Sequence, residues 1–207
     1  MKPESTVYFE DCITGMKRYA DNHFDLALVD PPYGIDINMN MGRRKGQRKK
    51  HDDKSWDSDI PDDEYFEELF RVSKNQIVWG ANNFPWVWKN GCGHFIFWDK
   101  KTPEGTSFSD GELAWTSFTK ADRKYTFRNI TGDKIHPTQK PIALYSWLLH
   151  NYAKEGDLIL DTHLGSGSSR IAADKGGFNF VGFEIDKEYY QAQEKRFRDY
   201  KSQLTLF

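Results

Sequence analysis

The feature that most narrows the fold of this chain is a regular alternation of short β-forming runs with helical patterns. Runs rich in β-branched and aromatic residues occupy 6–11, 24–30, 75–80, 94–99, 112–118, 157–161 and 180–185. Helical periodicity covers 13–20, 62–72, 141–152, 168–175 and 187–201 between or after them. Strands joined through helices pair in parallel, and a parallel sheet has to be covered on both faces. The expected fold is therefore α/β, a seven-stranded, mainly parallel sheet with helices on both sides. Residues 75–118 carry three strands with little helical pattern between them, so some antiparallel pairing is expected there, at one edge.

Seven strands and five helices use nearly all of the 207 residues, so a single domain over 1–207 is expected. No apolar run approaches the roughly 20 residues that cross a bilayer. The first residues lack the apolar stretch of a secretion signal, and Cys12 and Cys92 are too few for a disulfide framework. A cytoplasmic protein without a membrane partner follows as the expectation. The formal net charge of −2 hides a segregation: Arg43, Arg44, Lys45, Arg48, Lys49 and Lys50 cluster with no acid among them, which leaves 23 basic against 31 acidic residues elsewhere, a net of −8. This basic segment, within a loop over 36–60, reads either as a solvated charge run or, leaving the sheet ten residues after Tyr33, as a grip on phosphates, the reading preferred here.

In sheets of this kind ligands bind beyond the carboxyl ends of the strands. Three segments at such positions carry chemistry. The first is Asp30-Pro31-Pro32-Tyr33-Gly34. Two prolines stiffen the turn and remove N–H donors, so it offers a carboxylate, carbonyl oxygens and an aromatic ring in a preset arrangement. The second runs from Asp161 through Gly165, Ser166, Gly167 and Ser168, a strand end, a small-residue turn and a helix start whose free N–H groups suit a nucleotide-like ligand. Glu184 follows Gly165 by 19 residues, where an acid can accept from ribose hydroxyls. Arg170 stands where a dinucleotide fingerprint has its third glycine, which fits a nucleoside cofactor without pyrophosphate. The third segment is His136-Pro137-Thr138-Gln139-Lys140-Pro141; a lysine before a helix opposes the helix dipole, and a fixed carboxylate partner would account for it.

In this order the segments resemble the amino-group DNA methyltransferases that use S-adenosylmethionine, in the permuted arrangement called β, and the resemblance extends to Phe9-Glu10-Asp11-Cys12, Ile77-Val78-Trp79-Gly80 and Phe97-Trp98-Asp99-Lys100. It implies a Rossmann-like methyltransferase sheet, S-adenosylmethionine as cofactor without a metal, and double-stranded DNA as partner of a monomer or homodimer. Asp30, Pro31, Pro32 and Tyr33 would be catalytic. Asp30 and the Pro31 carbonyl would accept the two N–H bonds of an adenine N6 amino group, and Tyr33 would stack on the flipped base. Asp161, Gly165, Ser166, Gly167 and Ser168 would hold the methionine part of the cofactor, with Thr138 and Lys140 near its carboxylate. Glu184 would take the ribose hydroxyls, Asp11 and Cys12 would border the adenine, and Asp30 would count among the cofactor-binding residues as well. The chain departs from the family at Thr162 and His163, where Pro and Phe are common.

Three alternatives stay open at this point. Cytosine N4 presents an amino group to the same acceptors. A nucleotide-binding oxidoreductase would explain the small-residue turn and Glu184 but not the Pro-Pro-Tyr segment, and a non-catalytic DNA-binding module would explain Thr162 and His163. Residues 100–135 leave room for only a small target-reading region.

Overall fold

The computed structural model describes residues 3–34, 60–90, 93–105, 109–129 and 134–204. The basic segment Arg43 to Lys50 lies outside the described residues. In chain order the elements are β1 (Ser5–Phe9), α1 (Cys12–Met16), β2 (Leu26–Val29), α2 (Asp63–Val72), β3 (Gln76–Trp79), a 3-10 turn (Ala81–Asn83), α3 (Pro85–Asn90), β4 (His94–Asp99), β5 (Gly111–Thr116), β6 (Arg123–Thr126), α4 (Ile142–Tyr152), β7 (Leu158–Asp161), α5 (Ser168–Gly176), β8 (Asn179–Glu184) and α6 (Lys187–Leu204).

Among the described residues the strands form one eight-stranded sheet in the order β1-β8-β7-β2-β3-β5-β4-β6. All seven expected strands are present, and β6 is an addition. Strands β1, β8, β7, β2 and β3 run parallel. Strand β5 is antiparallel to both its neighbours, while β6 is parallel to β4. The antiparallel pairing expected at an edge thus lies inside the sheet, because β5 inserts between β3 and β4. The short link from β4 to β5 permits a reversal but is near the minimum for a crossover. Strand β6 escaped the sequence reading because Arg123, Lys124 and Thr126 are exposed and only Tyr125 packs inward.

Alternation along the strands feeds two cores. Leu26, Leu28, Ile77, Trp79, Ile159 and Phe180 face α4 and α5, where Leu144, Leu148, Leu149 and Ala173 meet them. Ala27, Val29, Val78, Leu160, Val181 and Phe183 face α1 and α2 through Met16, Phe66, Leu69 and Val72. Helices on both faces follow from this two-sided burial. No helix among the described residues is long and apolar enough to cross a membrane.

Local chemistry sets where the helices start. Asp62 caps α2 by accepting from the Tyr65 N–H at 3.0 Å, and Asp11 caps α1 by accepting from Thr14 at 2.8 Å. Helix α5 follows Gly167, whose φ of +69° suits a residue without a Cβ. The loops after β1, β2, β7 and β8 therefore converge at one end of the sheet.

Candidate active site

These loops enclose a cleft of about 280 Å³, near the lower end of the range for small-molecule sites. Of the residues expected from sequence, Asp11, Cys12, Asp30, Pro32, Thr138, Lys140, Gly165, Ser166 and Glu184 line it. His163 lines it as well, so the ring at the position of the family's Phe does reach the cleft.

Asp161, Gly167 and Ser168 lie behind the residues that line the cleft. The buried Asp161 carboxylate accepts from the Ser169 hydroxyl at 2.5 Å and the His163 N–H at 3.1 Å, bracing the turn from behind. Gly167 packs against Gln193 of α6. The Ser168 hydroxyl meets Ser166 Oγ at 3.1 Å and accepts from Arg196 at 3.0 Å, while Arg196 also donates to the Ser166 carbonyl at 2.7 Å. Arg170, in place of a third glycine, ties α5 to α6 through Gln193 and Glu194. The small-residue turn is thus held by side chains from the layer behind it.

Glu184 ends β8 and joins the turn to the sheet. Its Oε2 accepts from the Gly165 N–H and its Oε1 from the Asp186 N–H, both at 2.8 Å. Burial raises its pKa, and the two backbone donors oppose that rise. Across the cleft, Thr138 Oγ1 lies 3.0 Å from His136 Nδ1, and the His136 ring meets Tyr189 edge-on. Cys12 is buried with its thiol pushed up to about 12, chiefly by burial, so it serves as a small apolar wall and not as a thiolate.

Thr162 and His163 form a polar joint to α2. Thr162 Oγ1 is 2.7 Å from the Tyr65 hydroxyl and 2.9 Å from His163 Nδ1, and the His163 ring packs edge-on to Tyr65. Burial lowers the His163 pKa to about 4, so the ring is neutral near pH 7.

The centre of the site is a cluster of charges around Asp30. Its Oδ2 accepts from Lys140 Nζ at 2.5 Å and its Oδ1 from the Tyr33 hydroxyl at 2.6 Å. Lys140, in the cleft wall with Thr138, is thus held by the aspartate. The fixed carboxylate that its place before α4 called for is Asp30, joined by Glu112, whose Oε2 is 2.9 Å from the same ammonium. Glu112 Oε1 pairs with Lys100 at 2.5 Å. Burial pushes the Asp30 carboxyl upward against the pull of Lys140. At Glu112 burial acts in the same direction, but the two ammonium groups outweigh it and hold the carboxyl down to about 2. Lys140 is raised: burial alone would lower it, and the two carboxylates reverse that.

Tyr33 packs beside this cluster. Its ring is half-buried rather than displayed as an open plate, edge-on to Phe84 and pressed on Gly80, where φ is +68° and a Cβ would collide with it. Sequence reasoning missed Glu112 altogether. The signal was a charged residue at the start of a strand whose reversal brings that start to the carboxyl ends of its parallel neighbours.

Comparison with known proteins gives a consistent result. A family model described as DNA methylase matches residues 81–195. The Type II methyltransferase M.HinfI of Haemophilus influenzae is 25% identical over 249 residues, covering 95% of this chain and 69% of M.HinfI. Among solved structures, PvuII DNA methyltransferase (cytosine-N4-specific) aligns with a TM-score of 0.67 at 14% identity, over 95% of this chain and 87% of that one. The M1.HpyAVI-SAM complex aligns with a TM-score of 0.61 at 23% identity, over 92% and 98%. These structural matches establish a Rossmann-like α/β fold.

Proposed function

Because the chain belongs to the DNA methylase family, we propose that it transfers a methyl group from S-adenosylmethionine to the N6 amino group of an adenine flipped out of double-stranded DNA. The observation that carries this reading is Asp30, a half-buried carboxylate at the end of β2 that opens onto the cleft with both oxygens engaged by donors, Tyr33 and Lys140. A group held this way is built to accept N–H bonds.

The residues of the cleft suit the cofactor. Glu184 offers a carboxylate in the cleft wall for hydroxyls, Gly165 and Ser166 let a ligand approach the backbone, and Cys12 and Ile185 supply apolar surface for a base. Asp161, Gly167 and Ser168 support that turn from behind. When bound, S-adenosylmethionine supplies an electrophilic methyl carbon on a sulfonium. Asp30 and the carbonyl of Pro31 accept the two N–H bonds of the substrate amine, favouring a pyramidal nitrogen whose lone pair is free to attack. Pro31 and Pro32 keep that pair of acceptors rigid, and Tyr33 yields its hydrogen bond on Asp30 to the amine. Positioning of this kind supplies roughly 7–11 kcal/mol when reacting atoms are held in near-attack geometry. Extruding the base costs a few kcal/mol, which the cations of Arg43 to Lys50 offset by gripping flanking phosphates.

A second reading keeps the same chemistry on cytosine N4, favoured by the fold likeness to a cytosine-N4-specific enzyme. Aspartate at position 30 favours adenine by resemblance. Asp30→Ala is expected to lower transfer by about 10³-fold or more while calorimetry still finds cofactor binding. Transfer at the unsubstituted rate in Asp30→Ala contradicts the proposal.

A further inference from the structure

Both acceptor oxygens of Asp30 are taken, and both donors have the same second acceptor within reach. Lys140 Nζ sits 2.5 Å from Asp30 Oδ2 and 2.9 Å from Glu112 Oε2. The Tyr33 hydroxyl, 2.6 Å from Asp30 Oδ1, lies 3.4 Å from that same Glu112 oxygen. The side chain of Lys140 is only 2% exposed, so its ammonium depends on protein acceptors if Asp30 turns away. A buried cation without a partner is strongly disfavoured. Glu112 is itself anchored on its far oxygen by Lys100, which fixes its orientation and balances the cluster at two cations and two carboxylates.

We propose that Glu112 is a positioning residue for methyl transfer: it receives the Lys140 ammonium and the Tyr33 hydroxyl when Asp30 turns its oxygens to the substrate amine. This rests on the reading of Asp30 given above. Lys140 stays an ammonium throughout, and no covalent bond is made or broken in the exchange. The reversal of β5 has a consequence here, since only a strand running against its neighbours puts its first residues, Gly111 and Glu112, at the carboxyl ends of β3 and β4.

The test uses the full chain, duplex DNA and S-adenosylmethionine, and reads single-turnover transfer together with cofactor and DNA binding. Glu112→Gln is expected to slow transfer by about tenfold to a hundredfold, with both binding constants within about threefold of the unsubstituted protein. Glu112→Asp, which keeps the carboxylate, is expected to recover part of the rate. Because Glu112→Gln leaves Lys100 without its carboxylate, Glu112→Gln is also combined with Lys100→Met, which restores charge balance. Thermal stability is expected to return in the double variant and the rate is not. An unchanged rate in Glu112→Gln, or a restored rate in the double variant, overturns the role of Glu112. Absence of transfer by the unsubstituted protein overturns the reading of Asp30 as well, so the two failures are distinguishable.

Discussion

Asp161 and His163, two positions apart in the turn after β7, respond to pH in opposite senses. Burial raises Asp161 to about 7, so its favourable contribution is complete below the ordinary aspartate pKa and is lost as pH rises to about 7. Burial lowers His163 to about 4 from 6.5, so its contribution is complete above 6.5 and is lost as pH falls to about 4. Between those limits the two slopes oppose each other, and single substitutions separate them. Relative to the unsubstituted protein, His163→Phe is expected to gain roughly 1–3 kcal/mol as pH falls from about 6.5 to about 4. Asp161→Asn is expected to gain a similar amount as pH rises from about 4 to about 7. Urea titrations across that range check both, and variant curves that stay parallel to the parent contradict the assignment. At this scale much of the site was legible: Asp30, Gly165, Ser166 and Glu184 line the cleft where strand ends and their spacing put them. What could not be read was which side chains would engage each other. Lys140 pairing with Asp30 joins residues 110 positions apart, and no local pattern encodes that contact.

At the scale of elements, the parallel strands and their covering helices follow from alternation and capping, whereas β6 and the interior position of β5 depend on pairings made across the sheet. Helix α1 ends at Met16, short of the expected 13–20, because the chain turns at 17–19 to bring Tyr19 against His23 and Phe24. The turn after β3 illustrates how one element conditions another. Gly80 has a positive φ and is covered by the ring of Tyr33, so its bare backbone is what lets Tyr33 reach Asp30. Gly80→Ala is expected to cost about 1–3 kcal/mol in stability through the positive φ. The new methyl also displaces Tyr33, so transfer should fall further than the lost stability accounts for. Denaturation and transfer rate measured on the same preparation check this. Unaltered activity in a folded Gly80→Ala contradicts the place given to Tyr33.

For the whole molecule, the charge pattern and the site are parts of one account. The described body carries the Asp30 cluster, charge-balanced and largely shielded from solvent, while the six cations of Arg43 to Lys50 follow the Asp30 turn by only ten residues in sequence. On the proposed reading they join a phosphate grip to an amine-accepting pocket, and the net −8 of the remaining chain disfavours DNA elsewhere. The measurement that tests the central claim most directly is incubation of the purified protein with duplex DNA and S-adenosylmethionine carrying a labelled methyl group, followed by digestion to nucleosides and chromatography. The account predicts label in N6-methyladenine with the unsubstituted chain and none with Asp30→Ala; label in N4-methylcytosine, or no labelled nucleoside at all, contradicts it.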